Sequence, residues 1–230
     1  MELNQLTFGI SGQSPCSYLE DRLQRIIAPF DEQPLNAKLY QQLIEIGFRR
    51  SGDHVYRPHC IGCNQCQSLK VSCHEFNASK SQKRILAKAK AFEFTWHDEV
   101  QDDFYPLYEK YITARHQDGD MYPPSKEQFM GFLPCQWLAV RYLAIYHGKK
   151  LIGVGVFDQL ALGLSAVYSF FEPEYESYSI GKLSVLQAIK QCQKMSLPFM
   201  YLGYYIEPCS KMNYKTQFKP HQLYNGEAWV

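Results

Sequence analysis

Apolar positions first fall into a helical rhythm between residues 35 and 50, LNAKLYQQLIEIGFRR, where Leu35, Leu39, Leu43 and Ile46 share one side until Gly47 ends the pattern. That spacing predicts an amphipathic helix. Two short runs follow, Ser51 to Tyr56 and Leu69 to Val71, which read as strands on either side of a Cys-rich turn. The stretch SKSQKRILAKAKA from Ser79 opens on an N-cap serine, uses good helix formers and sets Leu86 and Ala89 against a charged face, so it predicts a second helix. Leu107 to His116 reads as a helix, and Gln117 to Ser125 as a loop broken by Gly119 and Pro123-Pro124. Beyond Trp137 the period changes. Trp137 to Tyr146, Leu151 to Phe157 and Leu164 to Phe171 are β-branched and aromatic runs separated by turns at His147-Gly148-Lys149-Lys150 and Asp158 to Gly163, the pattern of an antiparallel meander. Gly181 to Met195 returns to helical spacing, Phe199 to Ile206 reads as a buried strand, and Cys209 to Phe218 as a short helix. This order predicts an α+β fold with an acyltransferase-like second half. We place a domain boundary near residue 100, giving units 1–100 and 101–230.

Composition narrows the class. With 46% hydrophobic and 15% aromatic residues, the chain is not disordered and has material for a sizeable core. It contains no run of about 18 apolar residues and no basic start followed by an apolar block, which predicts a cytoplasmic protein with no membrane partner. Its 8 Cys are then expected to stay reduced, which puts metal ligation ahead of disulfides. A net charge of +1 removes any bulk argument for nucleic-acid binding, so the argument has to be local. Residues 79–91 carry Lys80, Lys83, Arg84, Lys88 and Lys90 with no acid, whereas residues 93–109 carry six acids and no Lys or Arg.

Three groups of residues point to chemistry. Cys60, Cys63 and Cys66 form a CxxCxxC turn; with Cys16, Cys73 or His59 as a fourth ligand they would suit zinc or an iron–sulfur cluster, and otherwise they are reduced thiols in a turn. The basic helix has the makings of a phosphate-tracking face, although a solvated charged face has the same pattern. Lys211, Lys215 and Lys219 recur every four residues, which predicts one basic helix face near Tyr201, Tyr204 and Tyr205, an arrangement suited to a single-stranded end with stacked bases. The chain has no GxSxG, Walker A or dinucleotide fingerprint, and the loop Tyr178 to Lys182 with its single glycine reads as an ordinary helix start.

Six strings in co-linear order carry a resemblance: GFRRSG at 47–52, VYRP at 55–58, SKSQKR at 79–84, DGDMYPP at 118–124, YLGYY at 201–205 and KMNYK at 211–215. Together they resemble the arginyl-tRNA-protein transferase family, in its short bacterial branch of aspartate/glutamate leucyltransferases. The resemblance implies an N-terminal transferase domain with the Cys-rich turn and a C-terminal acetyltransferase-like (GNAT) domain with a mostly antiparallel sheet. It also implies aminoacyl-tRNA and proteins with N-terminal Asp or Glu as partners, with leucine as the transferred residue and no cofactor required for the chemistry. Longer members hold zinc or an iron–sulfur cluster on a CxxC and an adjacent Cys pair. This chain departs from that pattern, reading Cys16-Ser17-Tyr18-Leu19, with Cys63 and Cys66 standing only loosely for the pair. On this reading the candidate metal ligands are Cys16, Cys60, Cys63 and Cys66. Candidate general bases are Glu207, Asp118 and Asp120, with His116 weaker. An acidic acceptor calls for cations, for which Arg49, Arg50 and Arg57 are the candidates with Lys215 in reserve. Lys80, Lys83, Arg84, Lys88, Lys211 and Lys215 are assigned to tRNA. The competing expectations are arginine as the transferred residue, a coenzyme-A-dependent N-acetyltransferase, and a zinc module that binds RNA.

Overall fold

The computed structural model describes residue 3, residues 6–30 and residues 35–230. Near the N-terminus, β1 (Phe8–Ile10) and β4 (Ile26–Pro29) join the hairpin β5 (Arg49–Ser51) and β6 (His54–Pro58) in a four-stranded sheet of order β1-β4-β6-β5. Between β1 and β4 the small hairpin β2 (Ser14–Pro15) and β3 (Leu23–Gln24) stands apart. Helix α1 (Ala37–Glu45) matches the predicted one: Asn36 caps it by accepting from the Leu39 N–H, and Leu39, Tyr40, Leu43 and Ile44 are buried. The predicted strand Ser51 to Tyr56 proves to be the β5–β6 hairpin, turning at Gly52, whose φ is +57°.

A seven-stranded sheet forms the body of the molecule, in the order β13-β7-β12-β11-β10-β9-β8. The predicted meander is its centre: β9 (Val140–His147), β10 (Lys150–Leu160) and β11 (Gly163–Phe171) pair antiparallel. At one end β8 (Phe92–His97) pairs with β9, and at the other β12 (Phe199–Tyr205) carries β7 (Gln67–Ser72), which in turn carries β13 (His221–Leu223). The sheet therefore draws strands from both sides of residue 100. Strand β8 lies inside the acidic stretch; its apolar members alternate as Phe92, Phe94 and Trp96, a period-two signal masked by the surrounding charges.

Helices cover both faces. On one, α3 (Phe104–Arg115) and α4 (Lys126–Phe132) bury Phe104, Tyr108, Ile112 and Phe129 against Tyr142, Val154 and Phe170. On the other, α5 (Ile180–Lys194) and α2 (Lys80–Lys88) cover the sheet, with Leu183, Leu186, Ile189 and Cys192 in the core. Each fully buried aliphatic side chain contributes roughly 1.5–3 kcal/mol. Helix α2 begins at the N-cap serine its sequence predicts, and Ser79 and Gln82 close a capping box in which each bonds the other's backbone N–H.

One strand pair opens. Strands β11 and β12 run parallel and stay in register only where Gly163, Leu164 and Ser165 face Phe199, Met200 and Tyr201. Past that point β12 carries a bulge between Tyr201 and Gly203, and Gly203 sits at φ +75°, a conformation open to glycine at little cost. Backbone carbonyls on both strands are left facing the gap and need other partners.

Candidate functional site

Two cations supply those partners. Arg49, carried by β5, donates to Ser165 Oγ at 3.0 Å and to the Ala166 carbonyl on β11, and its guanidinium passes 3.5 Å from where a Cβ on Gly203 would be. Lys215 donates to the Tyr204 carbonyl on β12 at 2.6 Å. Arg49 is 8% exposed and Lys215 7% exposed, and among the described residues neither has a carboxylate at ion-pair distance. Two buried positive charges without an anion are costly. Burial, with Arg49 beside it, pulls the Lys215 amine down to about 7.

Lys215 reaches this place because the predicted helix Cys209 to Phe218 breaks in two. It runs as α6 (Ser210–Asn213) and then tightens into a 3₁₀ turn, Tyr214–Gln217, anchored by buried Phe218. Residues four apart no longer share a face. Lys211 and Lys219 are exposed while Lys215 points inward, which corrects the expectation of one basic stripe. The expected stacking platform is corrected as well. Tyr201 is buried with its hydroxyl on Glu45, and Tyr204 is buried with its hydroxyl donating to the Gly47 carbonyl at 3.0 Å.

Outside the strand opening lies a cleft of about 630 Å³, lined by Tyr18, Leu19, Glu20, Arg22, Gln65, Glu207 and Pro208. The β2–β3 hairpin forms one wall, the Cys turn a second, and the segment after β12 a third. The cleft and the opening share neighbours, since Tyr18 and Lys215 both lie near Cys66 and Cys209. Of the candidate bases, Glu207 lines this cleft. Asp118 and Asp120 are exposed on the loop after α3, where Asp118 and Lys211 both act on His116, whose pKa is lowered chiefly by burial.

The arginines separate by environment. Arg50 is closed off: it pairs with Asp158 at 2.6 Å and donates to the carbonyls of Gly52, Leu133 and Pro134, so it is corrected from acceptor-binding residue to interior ion pair. Arg57 donates to the Ile46 carbonyl at 2.7 Å, lies over the Phe48 ring and is half-buried, with no carboxylate partner among the described residues. Lys80, Lys83, Arg84 and Lys88 are exposed along α2, and Lys211 is exposed on α6.

The thiols of Cys16, Cys60, Cys63 and Cys66 are half-buried in one region, joined by Cys209, which the sequence reading had not placed there. Arg25 pins the turn, its Nε donating to the His59 carbonyl at 2.6 Å. Burial first, and then the neighbouring Cys60, Cys16, Cys63 and Cys209, push the Cys66 thiol up to about 12. Among the described residues no three His, Cys, Asp or Glu side chains converge as a metal site. Tyr18 and Arg22 were missed because hairpin β2–β3 has only two residues per strand and gives no readable period, and Pro208, next to Glu207, carries no chemical signal of its own.

Comparison with known proteins gives two family models, "Arginine-tRNA-protein transferase, N terminus" over residues 14–84 and "Arginine-tRNA-protein transferase, C terminus" over residues 103–225. An aspartate/glutamate leucyltransferase of Vibrio cholerae is 43% identical over 230 residues, covering 99% of this chain and 98% of the relative. Proteins of the same name from Vibrio vulnificus and Aeromonas hydrophila are 40% and 42% identical, covering 99% and 96% of this chain and 98% and 94% of the relatives. Among solved structures, L-PGS from Bacillus licheniformis is similar over 74% of this chain and 49% of its own, at 9% identity and a TM-score of 0.44. No helix among the described residues is long and apolar enough to cross a membrane. Two models matching along the chain and relatives matching end to end make this chain an aminoacyltransferase belonging to the arginine-tRNA-protein transferase family.

Proposed function

We infer that the chain transfers leucine from leucyl-tRNA to the N-terminal Asp or Glu of acceptor proteins in the cytoplasm. End-to-end identity of 40–43% to proteins named aspartate/glutamate leucyltransferase carries this reading. In the structure, the pair of buried cations with no anion partner among the described residues, beside an open cleft, supports it, because an acidic acceptor would supply such a charge.

The reaction is aminolysis of an ester. The acceptor's α-amine attacks the ester carbonyl carbon, a new C–N bond forms, and the C–O bond to the tRNA ribose breaks. One proton leaves the amine and one ends on the departing ribose oxygen. An α-amine titrates at about 7.7 to 8, so a useful fraction is neutral near pH 7 and positioning supplies much of the rate. We assign Lys215 and Arg49 to the acceptor's side-chain carboxylate, with Arg57 at the margin. Glu207 we assign as the base that takes the amine's proton; Asp118 and Asp120 stand further out on their loop. Lys80, Lys83, Arg84, Lys88 and Lys211 we assign to the tRNA backbone. The acetyltransferase-like character of the second half and the division near residue 100 belong to the same reading; family matches that stop at residue 84 and resume at 103 support the division. No step of the transfer runs through zinc or an iron–sulfur cluster on Cys16, Cys60, Cys63 and Cys66.

Incubation with leucyl-tRNA or arginyl-tRNA and peptides beginning Asp, Glu, Lys or Ala, followed by mass spectrometry, tests the reading. A leucyl mass increment on the Asp and Glu peptides is the expected result. Transfer of arginine, or acetylation from acetyl-CoA in its place, overturns it.

A further inference from the structure

Helices α2 and α5 lie side by side in opposite directions. Gln193 near the end of α5 donates to the Cys73 carbonyl, seven residues before α2 begins, at 2.8 Å, while Lys88 at the end of α2 donates to the Ser177 carbonyl, just before α5, at 3.3 Å. The two helices carry Lys80, Lys83, Arg84, Lys88, Lys182, Lys190 and Lys194 and not one Asp or Glu. None of these seven cations has an acidic partner among the described residues.

Folding favours only the cations in the last turns, Lys88 and Lys194, which the backbone dipole suits, and gives no reason for the rest. Lys80 with Arg84, Arg84 with Lys88, and Lys190 with Lys194 are like charges four residues apart on a helix, each pair mildly destabilising. Lys80, Lys83 and Lys182 also stand near helix N-termini, where the backbone dipole disfavours cations, and neither helix has an acid in its first turn. A polyanion lying across both helices would relieve both conflicts. Neither helix contains an aromatic residue, so unpaired bases have nothing there to stack on, and a double-helical backbone suits the surface better than a single strand. The surface leads to the site: Lys182 Nζ donates to Gln217 Oε1 at 3.0 Å, two residues beyond Lys215.

Resting on the aminoacyl-tRNA reading above, we propose that the outer faces of α2 and α5 form one phosphate-tracking surface for a double-helical stem of the tRNA, with Lys190 and Lys194 extending it away from the cleft. Helix α5 has 15 residues, which at the standard rise makes it roughly 22 Å long, enough to follow several phosphates.

Equilibrium binding of an unacylated leucine tRNA, of its acceptor-stem hairpin and of its single-stranded 3′ tail, each over a salt series, tests this on wild type, K190A, K194A and K190E. Each alanine variant is expected to weaken binding of the tRNA and of the hairpin and to flatten the salt slope by about 1, while tail binding stays the same. K190E puts a carboxylate four residues before Lys194, the favoured order, so its Tm should hold or rise while hairpin affinity falls further. Unchanged hairpin affinity and slope in K190E overturn the surface and leave the transfer reaction standing. Equal losses on tail and hairpin overturn the duplex assignment. Wild-type protein that binds no tRNA overturns the functional reading together with this surface.

Discussion

Lys215 and Arg49 share the opening between β11 and β12, each bonded to a strand carbonyl and neither facing a carboxylate among the described residues. With the lysine amine held at about 7, the opening carries two charges below neutrality and one above it. An acidic acceptor binds the doubly charged form better. Affinity for a peptide beginning with Asp, measured calorimetrically without tRNA, should therefore fall as pH rises through about 7. Lys215→Met should weaken that affinity by about tenfold or more and abolish the pH dependence, as loss of a charged hydrogen bond of roughly 1.5–3 kcal/mol implies. A pH profile preserved in Lys215→Met would remove the residue from acceptor recognition.

The same lysine sets a stability trend. Its folded pKa lies below the unfolded value, so at low pH both states hold the proton and the burial penalty is fully present. Above about 7 the folded state releases the proton while the unfolded state keeps it, so unfolding free energy rises with pH, by up to about 1.4 kcal/mol per unit from this group. The trend should be read between pH 7 and 9, because at higher pH the thiol of Cys66, raised when folded, contributes in the opposite direction. Urea unfolding should show the rise in wild type, and Lys215→Met should show less of it.

Arg50 and Asp158 make the opposite case, a buried pair at 2.6 Å with side chains 0% and 1% exposed. Removing one partner strands the other, at a cost of about 3–5 kcal/mol. Arg50→Met and Asp158→Asn should each lower the urea midpoint markedly, and the double variant should lose less than the two singles combined. Folded Arg50→Met protein should keep its KM for acidic peptides; an increase like that expected for Lys215→Met would return Arg50 to the acceptor site.

That contrast shows what the sequence could and could not disclose. Arg49 and Arg50 are adjacent in a two-sided strand, so their side chains leave on opposite faces, one toward the gap beside β12 and the other toward Asp158, 108 residues away. Nothing local distinguishes them. Local pattern did reveal α1, α2, α5, the meander and strand β12, since each carries its own helical spacing, cap or unbroken apolar run. It could not reveal that β11 and β12 part after three paired residues, because that depends on register between distant segments. Nor could a spacing of four foresee the 3₁₀ turn that buries Lys215, as the tightening is set by Phe218 docking in the core.

Gly203 should be as sensitive as either cation. Its φ of +75° disfavours any side chain by about 1–2 kcal/mol, and a Cβ there would stand 3.5 Å from the Arg49 guanidinium. Gly203→Ala should lower stability by about that amount and raise KM for acidic peptides, because relaxing the bulge shifts Arg49. Both effects are measurable on one preparation, by thermal melting and by peptide titration at saturating leucyl-tRNA. An alanine variant with lowered Tm and unchanged KM would confine Gly203 to folding.

Glu207 is held where a proton acceptor is wanted. It follows β12 directly and shares the cleft with Arg22 and Tyr18, and its backbone carbonyl accepts from Asn213 Nδ2 at 3.2 Å, which ties the segment to α6. Replacing it by glutamine keeps the shape and removes the basicity. General-base assistance of this kind is worth about 10²–10⁴ in rate, so Glu207→Gln should lower kcat at saturating tRNA and peptide by at least the smaller factor while KM changes little. The loss should persist as pH rises past the acceptor's own α-amine pKa of about 7.7 to 8, because the neutral amine still sheds a proton as it attacks. Asp118→Asn, on its exposed loop, serves as the comparison in the same assay. If Asp118→Asn shows the loss in kcat and Glu207→Gln does not, the base belongs to the loop after α3, and acceptor and donor meet on the other side of α6.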